Sequence, residues 1–249
     1  MFWTALRRTI AQLILALFLS LFLFVALLGD AEMARCFGML AACYGIAFVG
    51  LGGEWFWARW FAIGLGNWGA VSLLSILQVG FEPALMIFGA SHLLVTVLLW
   101  GPHMAERYEL RQGWRERLKL QESSVERLRN AVVSAGMTIP FLILYAFGPG
   151  GEAFGVLALV PLALAGVAMT GLLRKKTWGV LALGATAVAS GIAAVTAPAG
   201  GVALWTFGTV AVPMFQLAPV VAALAAAVGF AVFLRPMIRF LRSPRRARR

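Results

Sequence analysis

The chain has 249 residues, of which 61% are hydrophobic and 12% are charged, and its formal net charge is +11. A soluble globular protein typically has about 25% charged residues, so this composition excludes an ordinary soluble protein. The apolar residues are collected in runs of about 20, which is the length that an α-helix needs to cross a bilayer core. They do not alternate with polar residues, as the strands of a membrane β-barrel do. The sequence therefore predicts an all-α integral membrane protein.

The first half of the chain contains four apolar runs, which we interpret as spans. They cover residues 9–29, 34–52, 61–79 and 84–101. The first run is longer than the apolar core of a signal peptide, about 7–15 residues, so we expect it to be a retained span. Trp55, Trp57 and Trp60 lie between the second and third runs. Tryptophan is enriched where a membrane meets water, so this turn is expected at a membrane boundary.

A hydrophilic connector, residues 102–130, separates the two halves of the chain. A basic stripe with a spacing of four residues runs along it, formed by Arg107, Arg111, Arg115 and Lys119. This pattern favours a helix in the membrane interface, with the stripe in contact with lipid headgroups. A plain solvated hairpin is the alternative, because five glutamates offset seven basic residues in the connector. Ser123 and Glu126 fit a capping box, which predicts a helix from about Ser124 into the fifth span.

The second half contains four further apolar runs. They cover residues 131–147, 153–173, 178–197 and 202–234, and a basic tail follows at 235–249. The last run would be about 50 Å long as one helix, which exceeds the thickness of a membrane. Pro213 and Pro219 interrupt it. It is therefore either one long kinked helix or a half-helix over 202–212 followed by a full span from about Leu217.

The positions of the basic residues predict the orientation of the bundle. With a cytoplasmic N-terminus and eight alternating spans, 20 of the 21 Lys and Arg residues fall on the cytoplasmic side, and only Arg35 falls opposite. Such an asymmetry is what the positive-inside rule describes. We therefore predict a bundle of about eight transmembrane helices, four plus four, with both termini in the cytoplasm. The preference for Arg over Lys is typical of a GC-rich bacterium, so a bacterial inner membrane is the expected location.

Polar residues inside the predicted spans are few. No Asp, Glu, Lys or Arg lies in the middle of a span, which argues against proton-coupled carriers and voltage sensors. His92 lies midway along the fourth run, and Asn67 and Gln216 lie in the third and the last. These three residues form the candidate polar intramembrane site. For His92 we favour a neutral imidazole hydrogen-bonded to a neighbouring helix, and the alternative is a group that moves protons.

Metal and cofactor sites are not expected. Cys36 and Cys43 are seven residues apart on one helix, too far for a disulfide. His92 and His103 are eleven residues apart on one predicted helix, so they cannot ligate one metal or clamp one haem between helices. The expected partner is a bilayer with anionic headgroups rather than nucleic acid, because membrane proteins collect positive charge on their cytoplasmic side.

Three functional interpretations remain open. The first is a component that binds or transports a small solute or a lipid, or a subunit of a membrane assembly or homo-oligomer. The second is a membrane-bound regulator that holds a cytoplasmic partner through its basic connector and tail. The third is an intramembrane enzyme that modifies lipid through His92. No phosphate-binding glycine loop, serine nucleophile motif or metalloprotease motif occurs in the sequence, which disfavours the third.

Overall fold

The computed structural model describes residues 2–74, 81–109, 122–148, 156–196, 205–207, 210–212 and 214–242. For residues 122–123, 156, 205–207, 210–212, 214–217 and 239–242 it describes the backbone alone. The described chain is almost entirely helical. Its helices are α1 (Phe2–Leu28), α2 (Ala31–Gly52), α3 (Ala58–Ala70), α4 (Pro83–Leu99), α5 (Pro102–Glu109), α6 (Glu122–Phe147), α7 (Val156–Leu173), α8 (Thr177–Thr196) and α9 (Met214–Arg242).

Five of the described helices are long and apolar enough to cross a membrane. They are α1, α2, α6, α8 and α9, and α4 with α5 makes a sixth if that pair, bent by 72°, counts as one span. The prediction of a multi-pass, all-α membrane protein is thereby confirmed. Helix α3 has 13 residues and the apolar part of α7 has 17, so neither reaches the length of these five.

The apolar run from 202 to 234 differs from both versions of its prediction. Its first part forms a two-stranded antiparallel hairpin, in which β1 (Trp205–Phe207) pairs with β2 (Val210–Val212). The prediction of helix over 202–212 was therefore wrong for these six residues. Aromatic and β-branched side chains favour strands, and hydrophobicity alone does not distinguish a short strand from a helical turn. Helix α9 begins at Met214 and extends to Arg242, into the predicted tail.

Local sequence explains where several helices begin. The Asp30 carboxylate accepts hydrogen bonds from the backbone N–H groups of Glu32 and Met33, at 3.0 and 2.9 Å, and so caps α2. Pro83 occupies the first turn of α4, where its missing N–H is not needed. Helix α6 begins at Glu122 and continues through Pro140 to Phe147. The predicted continuous helix from the connector into the fifth span is thus confirmed, with its start two residues earlier.

Helix α3 is the centre of the bundle. Eleven of its 13 residues are buried. A Cβ atom at Gly64 would lie 2.5 Å from the Val133 carbonyl oxygen of α6, and one at Gly69 would clash with the His92 ring of α4. Small residues on two faces of α3 therefore let its backbone approach both neighbours closely. Because α6 belongs to the second half of the chain, α3 is where the two halves meet.

Glycines bring helices of the second half close together. In α8, Gly184 faces the Phe230 ring of α9. On another side of α9, Gly229 faces Ser134 of α6. These contacts join α9 to both α6 and α8.

Candidate binding cleft

A cluster of charged side chains lies near the start of α1, in the α2–α3 turn, at the start of α3 and in α5. We call Arg8, Glu54, Arg59, Arg107 and Glu109 the charged cluster. One Glu54 carboxylate oxygen accepts hydrogen bonds from Arg8 at 2.7 Å and from Arg107 at 2.6 and 2.9 Å. This single carboxylate connects α1, the α2–α3 turn and α5.

Arg59 holds the bend between α4 and α5. It is 4% exposed, and its guanidinium donates to the carbonyl oxygens of Leu99 at 2.8 Å and Gly101 at 3.3 Å. It also forms an ion pair with Glu109, whose carboxylate accepts a second hydrogen bond from the Trp60 indole at 2.6 Å. A buried charge is tolerated when it is paired and hydrogen-bonded, and every nitrogen of this guanidinium has such a partner.

Helix α5 packs on the bundle through its apolar face. Met104 and Tyr108 are both fully buried. The Tyr108 hydroxyl donates to the Leu51 carbonyl oxygen at 3.1 Å, and burial raises the pKa of Tyr108 to about 12, so the donor stays protonated at physiological pH. A helix is thus present over residues 102–109 of the connector, and its apolar face packs on protein; its location in the membrane interface stays a prediction.

Beside the charged cluster, a cleft of about 690 Å³ opens between α3, α5, α6 and α9. Its polar lining residues are Arg59, Asn67, Arg129, Asn130 and Ser134. Its other lining residues are apolar or glycine, namely Ile63, Trp100, Gly101, Pro102, Ala105, Val133, Met137, Val221, Leu224, Ala225 and Val228. The cleft is therefore a mainly apolar space with polar groups contributed by two helices.

The polar groups are distributed along the depth of the cleft. Arg59 and Asn67 are eight residues apart on α3, which corresponds to about 12 Å along a helix axis. On α6, Asn130, Ser134 and Met137 line the cleft at intervals of four and three residues, so they share one helical face. The cleft thus extends about two helical turns inward from the charged cluster.

One side of the cleft is apolar and exposed. Trp100, Leu224 and Val228 line it, and their side chains are 64%, 63% and 63% exposed. In a chain with several membrane-spanning helices, exposed apolar side chains on the bundle surface face lipid. The open side of the cleft is therefore apolar and exposed on the bundle surface.

Of the three residues of the predicted polar site, one lines the cleft. Asn67 lies there, and its side-chain oxygen accepts a hydrogen bond from Thr96 at 3.1 Å. His92 is not among the lining residues of this cleft, and the Gln216 side chain lies outside the described part of the chain. A site shared by all three residues stays a prediction.

His92 is 1% exposed and lies among the rings of Phe18, Tyr44, Trp68 and Phe88. Its Nδ1 lies 2.7 Å from the Phe88 carbonyl oxygen, which can only accept, so Nδ1 carries the proton. The Tyr44 hydroxyl then donates to Nε2. Both ring nitrogens are satisfied in the neutral form, as predicted for an imidazole bonded to a neighbouring helix. The aromatic rings thus enclose the imidazole.

The remaining predicted contacts are partly described. Arg107 bonds to Glu54, while Arg111, Arg115 and Lys119 lie outside the described residues, so contact of the stripe with headgroups stays a prediction. Cys36 and Cys43 are buried free thiols, as their spacing predicted. Within the described ranges, no three metal-ligating side chains come together.

Comparison with protein-family models, curated proteins and solved structures gives no match to this chain. Its function must therefore be argued from the cleft and its surroundings.

Proposed function

We propose that this chain is a multi-pass component of a bacterial cytoplasmic membrane that binds a lipid-like molecule in the cleft between its two halves. The proposed arrangement has eight spans, four plus four, with both termini and the connector in the cytoplasm. The observation that carries the proposal is a mainly apolar cleft, open on an apolar side, with polar groups beside the charged cluster.

The proposed orientation is supported by the basic residues that lie together at one end of the bundle. Arg8 and Arg107 meet at Glu54, and Arg59 and Arg129 line the same cleft. These residues come from the N-terminus, the α2–α3 turn and the connector, which the counting of Lys and Arg assigns to one side. Positive charge collects on cytoplasmic surfaces, so this end is proposed to face the cytoplasm.

The chemistry of the cleft favours an amphipathic ligand over a hydrophilic solute. A hydrophilic solute would have to displace its hydration against an apolar wall, and polar groups buried without partners carry a large cost. A lipid places its chain against Ile63, Met137 and Val221 and its headgroup against the polar groups of α6. Entry from the bilayer requires no aqueous path through the protein.

Narrowing the cleft is expected to remove the bound lipid. Val221 lines the cleft, and a tryptophan there adds a bulky ring to the space that the lipid chain would occupy. We expect Val221→Trp to bind much less lipid than the wild type. The measurement is the number of lipid molecules retained by the purified protein, determined by native mass spectrometry from detergent.

The matched control is the adjacent residue on the same helix. Val220 is 40% exposed and is not among the residues that line the cleft, so Val220→Trp is expected to retain wild-type lipid. Equal retention in both variants would contradict the proposal, because it would show that the retained lipid binds elsewhere on the surface.

A further inference from the structure

Two guanidinium groups line the cleft, but they differ in what they bind. The Arg59 guanidinium is occupied by Leu99, Gly101 and Glu109. Each of its three nitrogens already donates to a protein oxygen and its charge is paired with Glu109, so Arg59 is less available to a ligand than a guanidinium without such partners.

Arg129 is much less engaged. Its described ion-pair partner is Glu126, at 3.7 Å, and that carboxylate is 68% exposed. A separation of 3.7 Å exceeds hydrogen-bond length, and an exposed pair one turn apart contributes little stability because water screens it. Arg129 can therefore exchange this partner for a ligand at little cost.

Neutral hydrogen-bonding groups accompany Arg129. Asn130 and Ser134 line the cleft on the same helix, four residues apart, so their side chains lie on one face. A guanidinium beside an amide and a hydroxyl offers several donors to one group of oxygen atoms. Among the parts of a lipid headgroup, phosphate matches this set of donors best, since a guanidinium binds it in a bidentate manner.

We propose that the ligand of the cleft is an anionic phospholipid of the cytoplasmic leaflet, whose phosphate binds to Arg129, Asn130 and Ser134. This inference rests on the proposed function, and it adds the charge class of the lipid and the residues that recognise it. The apolar open side selects a lipid over a free phosphate compound, because only the lipid has chains to cover Leu224 and Val228.

The test compares two lipids in one binding experiment. Purified protein is incubated in mixed micelles with equal amounts of phosphatidylglycerol and phosphatidylcholine, and the bound lipids are identified by native mass spectrometry. Both lipids carry a phosphate, but choline adds a cation that competes with Arg129 for it, whereas glycerol does not. We therefore expect the wild type to enrich phosphatidylglycerol, and we expect Arg129→Gln to lower that preference roughly tenfold.

Arg127→Gln is the matched control, because it removes the same charge from the same helix two residues away from Arg129. Arg127 does not line the cleft, so its replacement is expected to leave the preference unchanged. An equal loss in both variants would overturn the inference in favour of general attraction to a basic surface. If soluble glycerol phosphate, at the same concentration as the lipid, displaces the bound phosphatidylglycerol, the inference that the ligand is a lipid is overturned.

The outcomes also separate this inference from the proposed function. If the wild type binds both lipids equally and Val221→Trp abolishes both, the cleft holds lipid without selecting charge, and the inference alone is wrong. If Val221→Trp changes the bound amount of neither lipid, the proposed function is wrong as well.

Discussion

Replacing Gly64 with alanine is expected to destabilise the bundle by about 1–3 kcal/mol, the usual cost of adding volume to a close-packed interior. The added methyl group would lie 2.5 Å from the Val133 carbonyl oxygen and 2.9 Å from the Gly136 backbone. Backbone atoms cannot rotate away as a side-chain end can, so α3 and α6 would have to separate. The measurement is the midpoint of thermal unfolding in detergent, followed by helical circular dichroism.

Gly191 provides the control for this substitution. It lies within α8, and a Cβ atom there meets no other atom within 4 Å. Gly191→Ala is therefore expected to leave stability unchanged or to raise it by up to about 1 kcal/mol through helix propensity. If both variants unfold at the same temperature, α3 does not approach α6 as closely as described.

Replacing Arg59 with methionine is expected to cost about 3–5 kcal/mol, because the buried Glu109 carboxylate then loses its charged partner. The Leu99 and Gly101 carbonyl oxygens lose a donor at the same time. The bend between α4 and α5 should loosen, so Tyr108 should become more accessible. The measurement is the same thermal midpoint, together with limited proteolysis within α5.

A double variant tests whether the stability lost in Arg59→Met arises from the ion pair with Glu109. Glu109→Gln removes the charge left unpaired by Arg59→Met, so the double variant should lose clearly less stability than the sum of the two single variants. Arg35→Met, at an exposed arginine on α2, should be nearly neutral. Strictly additive losses would contradict a direct pair between Arg59 and Glu109.

Much of the fold follows from the length of the apolar runs, because a helix must keep its polar backbone bonded across a bilayer. The apolar runs at 9–29 and 34–52 correspond to α1 and α2, and the step from Ser123 to Glu126 predicted the start of α6 to within two residues. The strand pair at 205–207 and 210–212 was missed because its six residues are as apolar as a helical turn. Its only signal was aromatic and β-branched composition.

The candidate site was less accessible to prediction. Asn67 was singled out because a large polar side chain in a span is unusual, and it does line the cleft. His92 was singled out for the same reason, yet its hydrogen bonds to Tyr44 and Phe88 fix it in the interior. A sequence shows that a buried polar group exists, but its partner on another helix decides whether it is structural.

Arg129, Asn130 and Ser134 were not recognised as a group from the sequence. Their spacing on α6 was a usable signal, since residues 130 and 134 share a face with Val133 and Met137. What the sequence could not supply was the position of α9 beside that face, which depends on the close approach at Gly229. The Glu54–Arg107 pair and the Arg59–Glu109 pair likewise connect residues about 50 positions apart, so no local sequence pattern indicates them.

The central claim is that the charged cluster and the cleft face the cytoplasm, with the α1–α2 turn on the opposite side. It is tested most directly by labelling single introduced cysteines with a membrane-impermeant maleimide in intact bacterial cells. Glu106→Cys and Ala31→Cys place exposed thiols at the two ends, and the native cysteines are buried and provide the background. We predict that Ala31→Cys is labelled in intact cells and Glu106→Cys only after the membrane is opened. Labelling of Glu106→Cys from outside, or equal labelling of both, would contradict this orientation.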